Sequence, residues 1–247
     1  MGLLSAIGMG SFWVVSVVVG IRLLRLASRT RELPELAMGL AFFSGGGLGY
    51  LLIIGSSLAR SRAPEWMPSL WAAGLIAITV GAVALAFFNW RVFVPEPRGV
   101  ALFAAACSAM LVGLAGVALG PGFSGPGVDG AFGWLGALGR MATFGWAAAE
   151  SWRYFAMMRR REALGLVDSA TTRRFLYWAL GAGAATLIFL NSQIRQAVGL
   201  GMDPRVPGTA IPTAALGLTA AACVWLAFRG RRGPAAAAQA GAPSSGA

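Results

Sequence analysis

Seven apolar stretches, each about the length a helix needs to cross a bilayer core of ~30 Å, follow one another along this chain. They fall at 3–26, 35–59, 69–93, 99–119, 132–158, 173–198 and 210–229. No other feature restricts the fold as much. In lipid every backbone N–H and C=O must find its partner within the protein, and runs of this length do so as helices. The expected architecture is an all-α integral membrane protein, a seven-transmembrane-helix bundle over residues 1–232. Pro34 precedes the second run, Pro64 and Pro68 bracket the loop before the third, and Pro95 and Pro97 separate the third from the fourth. "GPGFSGPGVDG" at 120–130 is too rich in Gly and Pro for a helix, and Pro204, Pro207 and Pro212 mark the entry to the last run. Residues 233–247, "GPAAAAQAGAPSSGA", read as a disordered tail.

Charge then gives the chain a direction. Charged residues are 12% of the sequence, where a soluble domain carries roughly a quarter, so lipid covers most of the surface. The net charge of +11 is all arginine on the basic side, with no lysine, and the arginines sit at the ends of the apolar runs. That is the pattern of an orientation signal rather than a basic face for nucleic acid. Fifteen arginines fall on one side: Arg22 to Arg31, Arg91 and Arg98, Arg153 to Arg174, and Arg229 to Arg232. The other side has five: Arg60, Arg62, Arg140, Arg195 and Arg205. The positive-inside rule puts the first side in the cytoplasm, with the N-terminus outside and the C-terminus inside, in the cell's inner (plasma) membrane. No basic residue precedes the first run, which therefore reads as an uncleaved span rather than a secretory signal. The tryptophans fit an interfacial belt, with Trp66, Trp71 and Trp134 near outer ends and Trp90, Trp152, Trp178 and Trp225 near inner ends. Trp13 lies deeper.

Glycines mark where helices should touch. Gly45 and Gly49, Gly116 and Gly120, and the series Gly130, Gly133, Gly136 and Gly139 leave bare flanks. Such flanks allow close approach in lipid, where packing must replace the hydrophobic drive. "RTRE" at 29–32 and "RRRE" at 159–162 each close an outside-to-inside run, which would suit two triple-helix units joined by the fourth span.

The residue inventory excludes much chemistry. Without histidine there is no bis-histidine haem, histidine-bound zinc or serine–histidine pair; without lysine there is no retinal Schiff base. Asp129, Asp168 and Asp203 fall in loops, so no paired intramembrane aspartyl site is available. Cys107 and Cys223 sit inside apolar runs as small hydrophobes. No catalytic residue, metal or cofactor is expected.

Three polar groupings remain. Glu150 is a carboxylate inside a span, a functional position by default. Arg153 and Tyr154 stand three and four residues on, so a local ion pair near the inner boundary is favoured over a proton or ligand site. The second grouping, Arg22, Glu35, Asn89, Arg91, Glu150 and Arg153 with Arg173 and Arg174, either meets in a polar layer across the inner end or points separately to headgroups and water. The third lies in "LNSQIRQ" at 190–196. Asn191 and Arg195 share a face, as do Ser192 and Gln196, and Arg140 enters span five at the same level. With Asp129 and Asp203 nearby, these would line an outward vestibule for a polar or anionic ligand, unless span six merely wears a solvated end.

"GIRLLRLASRTRELPELAMGLAFFSGGGLGY" at 20–50 and "WRYFAMMRRREALGLVDSATTRRFLYW" at 152–178 resemble an uncharacterised group of bacterial seven-helix membrane proteins. The resemblance implies a helical membrane fold and no activity. Helix count and orientation are also similar to rhodopsin-like receptors, a fold-level likeness alone. Two function classes follow. One is a receptor-like or sensor module, with the outer vestibule as ligand site and a cytoplasmic partner protein at the arginine-rich inner face. The other is a small-solute or ion transporter using Glu150 and the polar face of span six.

Overall fold

The structure is a computed structural model that describes residues 3–120, 130–200 and 207–229. The expectations placed on Asp129, Asp203, Arg205 and the 233–247 tail lie outside the described residues. Among the described residues all regular structure is helical. The long helices are α1 (Leu3–Thr30), α2 (33–62), α3 (67–93), α4 (Pro97–Leu119), α5 (Gly130–Ala163), α6 (Ser169–Ala197) and α7 (Pro207–Phe228). Six of them are long and apolar enough to cross a membrane, which makes the chain a multi-pass helical membrane protein. The exception is α5, where Arg140, Glu150 and Arg153 interrupt a run already diluted by glycine.

Most helices run past the apolar stretches that announced them, because the hydrogen-bond ladder continues until a local signal ends it. α1 stops at Arg31, whose φ of 59° turns the chain toward Pro34. Before α6, the Asp168 carboxylate accepts the Thr171 N–H at 2.7 Å, satisfying a donor that the first turn leaves orphaned. Pro212 lies inside α7.

Two helices contain π-helical segments. In α2 the ladder widens over Ala41–Gly49, "AFFSGGGLG", between two α-helical parts. Interhelical hydrogen bonds hold this segment. The Trp13 indole Nε1 of α1 donates to the Gly47 carbonyl at 3.0 Å, and the Ser44 hydroxyl donates to the Ala77 carbonyl of α3 at 2.8 Å. That explains Trp13's depth: it serves an interhelical bond rather than the interfacial belt. The second π segment, Asn89–Phe93, ends α3.

Six helices form a closed ring in the order α1, α2, α3, α5, α6, α7, and α7 returns to α1. Their shared core comprises Val19 and Leu23 (α1), Met38 (α2), Leu85 (α3), Ala147 (α5), Ala182 (α6) and Val224 (α7). Phe42, Trp178 and Phe228 join α2, α6 and α7 with ring centroids 5.4–5.9 Å apart. α4 contributes no member to this core and packs outside the ring, against α5 and α3. The ring's adjacencies are unchanged when α1–α3 exchange places with α5–α7, the arrangement two triple-helix units would have.

Glycine sets the closest approaches. A Cβ on Gly81 of α3 would lie 2.5 Å from the Gly45 nitrogen of α2, whereas one on Gly45 would meet Gly81 at an ordinary 3.4 Å. Gly49 faces Ile78 of α3. Between α4 and α5, Gly113 lies against the Gly136 backbone, and Gly116 against the Phe132 ring. Gly120 meets only its own helix, and Gly130 faces open space. The expected contacts therefore form at Gly45, Gly49, Gly116, Gly136 and Gly139 but not at every glycine of the pattern.

Candidate functional site

At the end of the bundle that carries Arg22, Arg91 and Arg153, Glu150 lies on the α5 face that also carries Thr143, Ala147 and Ser151, all buried. The carboxylate thus turns toward the ring rather than toward lipid. Arg153 Nη1 donates to both its oxygens, at 3.0 and 3.3 Å, while the Arg153 side chain is 73% exposed. This is the expected local ion pair, with its cation exposed, and exposed pairs of this kind are weak.

Asn89 is fully buried. Its Nδ2 donates to the Thr143 carbonyl of α5 at 3.1 Å, closing the ring between α3 and α5, and its Oδ1 has no hydrogen-bond partner. The rest of the expected polar layer lies apart from these groups. Arg22 and Arg91 are exposed, and the Arg91 guanidinium sits 5.6 Å from the centroid of its neighbour Trp90. Glu35 accepts a hydrogen bond from the Thr30 hydroxyl and so secures the α1–α2 turn. Arg173 folds back on Ser169, with bonds of 3.1 and 3.2 Å, and Arg174 is exposed.

At the opposite end, Asn191 and Ser192 are half-buried, and Ser192 accepts from Gln196 Nε2 at 3.3 Å. Arg195 is buried and donates to the Leu200 carbonyl at 3.3 Å, supporting the C-terminus of α6. Its other Nη lies 2.9 Å from where a Cβ on Gly208 of α7 would stand. Arg140 runs back along α5, so that its Nη1 would sit 3.4 Å from a Cβ at Gly136. The absent side chain at Gly136 leaves room for this half-buried guanidinium.

Sequence reasoning missed Gln193. It is 7% exposed, with Oε1 lacking a hydrogen-bond partner, and Thr209 of α7 is similarly buried with a free hydroxyl. Gln193 continues the line of buried Ala182 and Ala185 and half-buried Phe189 at helical spacing, a signal that pairing Asn191 with Arg195 passed over. Among the described residues no three His, Cys, Asp or Glu side chains gather as a metal site would need. Comparison with protein-family models, curated proteins and solved structures finds no match.

Proposed function

We propose that this protein is a receptor-like or sensor module of a bacterial inner membrane, without enzymatic activity. In this reading α5 is the seventh span, the N-terminus is outside and the C-terminus cytoplasmic. The chain would belong with the uncharacterised bacterial seven-helix proteins it resembles. One observation carries the functional part: the buried charged and amide groups fall into two sets, and between them the buried polar groups are hydroxyls alone, those of Ser16, Thr79 and Thr143 among them. Gln193, Arg195 and Thr209 lie at one end, and Asn89, Glu150, Ser151 and Thr172 at the other. Between them stands the core of Val19, Leu23, Met38, Leu85, Ala147, Ala182 and Val224. A ligand held at the outer end meets no charged or amide group among the described residues of this layer. What can pass is a shift of α6, a single helix that carries Gln193 near one end and Thr172 near the other. A cytoplasmic partner protein at the arginine-rich inner face would receive that shift.

Reporter fusions test the topology: those after Arg31, Arg98 and Arg161 should read cytoplasmic, and one after Arg62 external. An external reading after Arg161 would remove α5 from the list of spans. For the function, mass spectrometry of the purified protein should find a co-purifying polar or anionic small molecule that is depleted in Gln193→Leu. Liposomes holding the protein should show no solute flux above empty ones.

The second reading, a small-solute or ion transporter, draws on Glu150 facing the ring interior. It would gain if the parent carried a flux that a well-folded Glu150→Gln variant lost. The sensor reading expects that variant to fold normally, at a cost of about 1 kcal/mol or less, since Arg153 is free to reach headgroups.

A further inference from the structure

The outward face of α5 continues past Glu150 as a stripe that neither the core nor the polar sets use. Trp152, Phe155, Ala156, Arg159, Arg160 and Ala163 recur at helical spacing and form one shallow, open surface of the helix. Trp152 is 55% exposed, and its ring lies 5.4 Å from that of Phe155. Arg159 and Arg160 are exposed, and neither guanidinium has an acidic or hydrogen-bonding partner among the described residues.

The order of groups along the stripe follows an amphiphile. α5 has 34 residues, about 50 Å of helix, against a hydrocarbon core of ~30 Å, so its last turns stand in the headgroup zone. Trp152 then lies near the hydrocarbon edge, and the two arginines lie about 11 Å further toward water. Indole rings favour the glycerol level, and guanidinium groups bind phosphate oxygens in pairs. A soluble protein could reach the arginines but not the aromatic half of the stripe. A zwitterionic lipid would bring its own cation toward two unpaired arginines. An anionic one complements them.

We propose that this face is a binding site for an anionic glycerophospholipid, with the phosphate on Arg159 and Arg160 and the upper acyl chain along Trp152, Phe155 and Ala156. The site rests on α5 crossing the membrane as proposed above, but not on which side the arginine-rich end faces, nor on whether the protein senses or transports.

The test uses the full chain in mild detergent, titrated with phosphatidylglycerol or phosphatidylcholine, with bound lipid counted by native mass spectrometry. An arginine near an anionic surface contributes about fivefold in affinity, so two should give a preference of about 25-fold for phosphatidylglycerol. Arg159→Gln with Arg160→Gln should abolish most of that preference, while Arg25→Gln with Arg29→Gln, an equal charge change on α1, should leave it. If the glutamine pair on α5 fails to fold, Arg159→Lys with Arg160→Lys serves instead, and loss of the paired guanidinium contacts should lower the preference severalfold. Equal losses from the α1 and α5 pairs would show a diffuse surface attraction and overturn the site, as would an undiminished preference in the α5 variants. A dimer that breaks up when Arg159 and Arg160 are replaced would assign the face to a second copy and also refute the lipid site.

Discussion

α3 and α4 are consecutive, similar in length and equally apolar, yet 39% of the span in α3 is buried against 11% in α4. Hydropathy brought both into the membrane but did not place either. The difference lies in the arrangement of small and polar residues. α3 buries Gly74, Ala77, Thr79, Gly81, Ala82, Leu85 and Ala86 along one side, and Asn89 in its final turn. α4 buries Gly99, Met110 and Gly113. Since lipid tails are as apolar as leucine, a helix gains nothing by burying leucine against another helix except the packing itself. Position in the bundle goes to the helix that lets its neighbours come close and brings a polar group needing a partner. α3 does both, whereas α4 comes close to α5 through Gly113 and Gly116 but buries no polar side chain.

The largest test of this contrast is Gly81→Leu. Its Cβ would enter the Gly45 backbone, which cannot yield as a side chain would, so the ring should lose about 3 kcal/mol or more in reversible unfolding from mixed micelles. Gly45→Ala should cost less than about 1 kcal/mol, because its Cβ meets Gly81 at ordinary contact distance. A symmetric response would show that the two helices shift apart freely.

Gly113→Leu should act on α4 alone. Its Cβ would strike the Gly136 backbone, but the six-helix ring closes without α4. Hydrogen exchange should accelerate across α4 while α2 and α3 stay protected; acceleration everywhere would make α4 a structural member of the ring.

Asn89→Leu removes the α3–α5 hydrogen bond to the Thr143 carbonyl and should cost about 1–2 kcal/mol by the same unfolding measurement. Leu111→Ala on α4 should be the smallest change, within about 0.5 kcal/mol, since that side chain is 54% exposed and faces lipid. A larger loss there would mean that α4 meets another protein surface.

Legibility followed the range of the interactions. The Glu150–Arg153 pair was readable because both groups sit on one turn of one helix. The Asn89–Thr143 bond was not, because its partners are 54 residues apart and one is a backbone carbonyl, which every residue carries. Grouping Arg22, Arg91 and Glu35 with Glu150 assumed that residues at one depth also face one another. Depth follows from the sequence, but rotation about the helix axis does not, and Arg22 and Arg91 turn outward. The depth of Trp13 stood out as an exception, but its cause, a carbonyl in the π-helical part of α2, belongs to another helix.

What the sequence determined by itself was the solvent and the material: helices that cross a bilayer, with arginines gathered at one end. That follows from runs of apolar residues, because lipid leaves a backbone few ways to satisfy its hydrogen bonds. The tertiary structure decided which six helices close the ring, that α4 stays outside it, where α2 widens, and that Glu150 turns inward. Those outcomes depend on contacts such as Gly81 with Gly45 and Asn89 with Thr143, which have no meaning within a single span. In lipid, where hydrophobicity cannot rank one helix face above another, such close contacts are what fix each helix's rotation and neighbours.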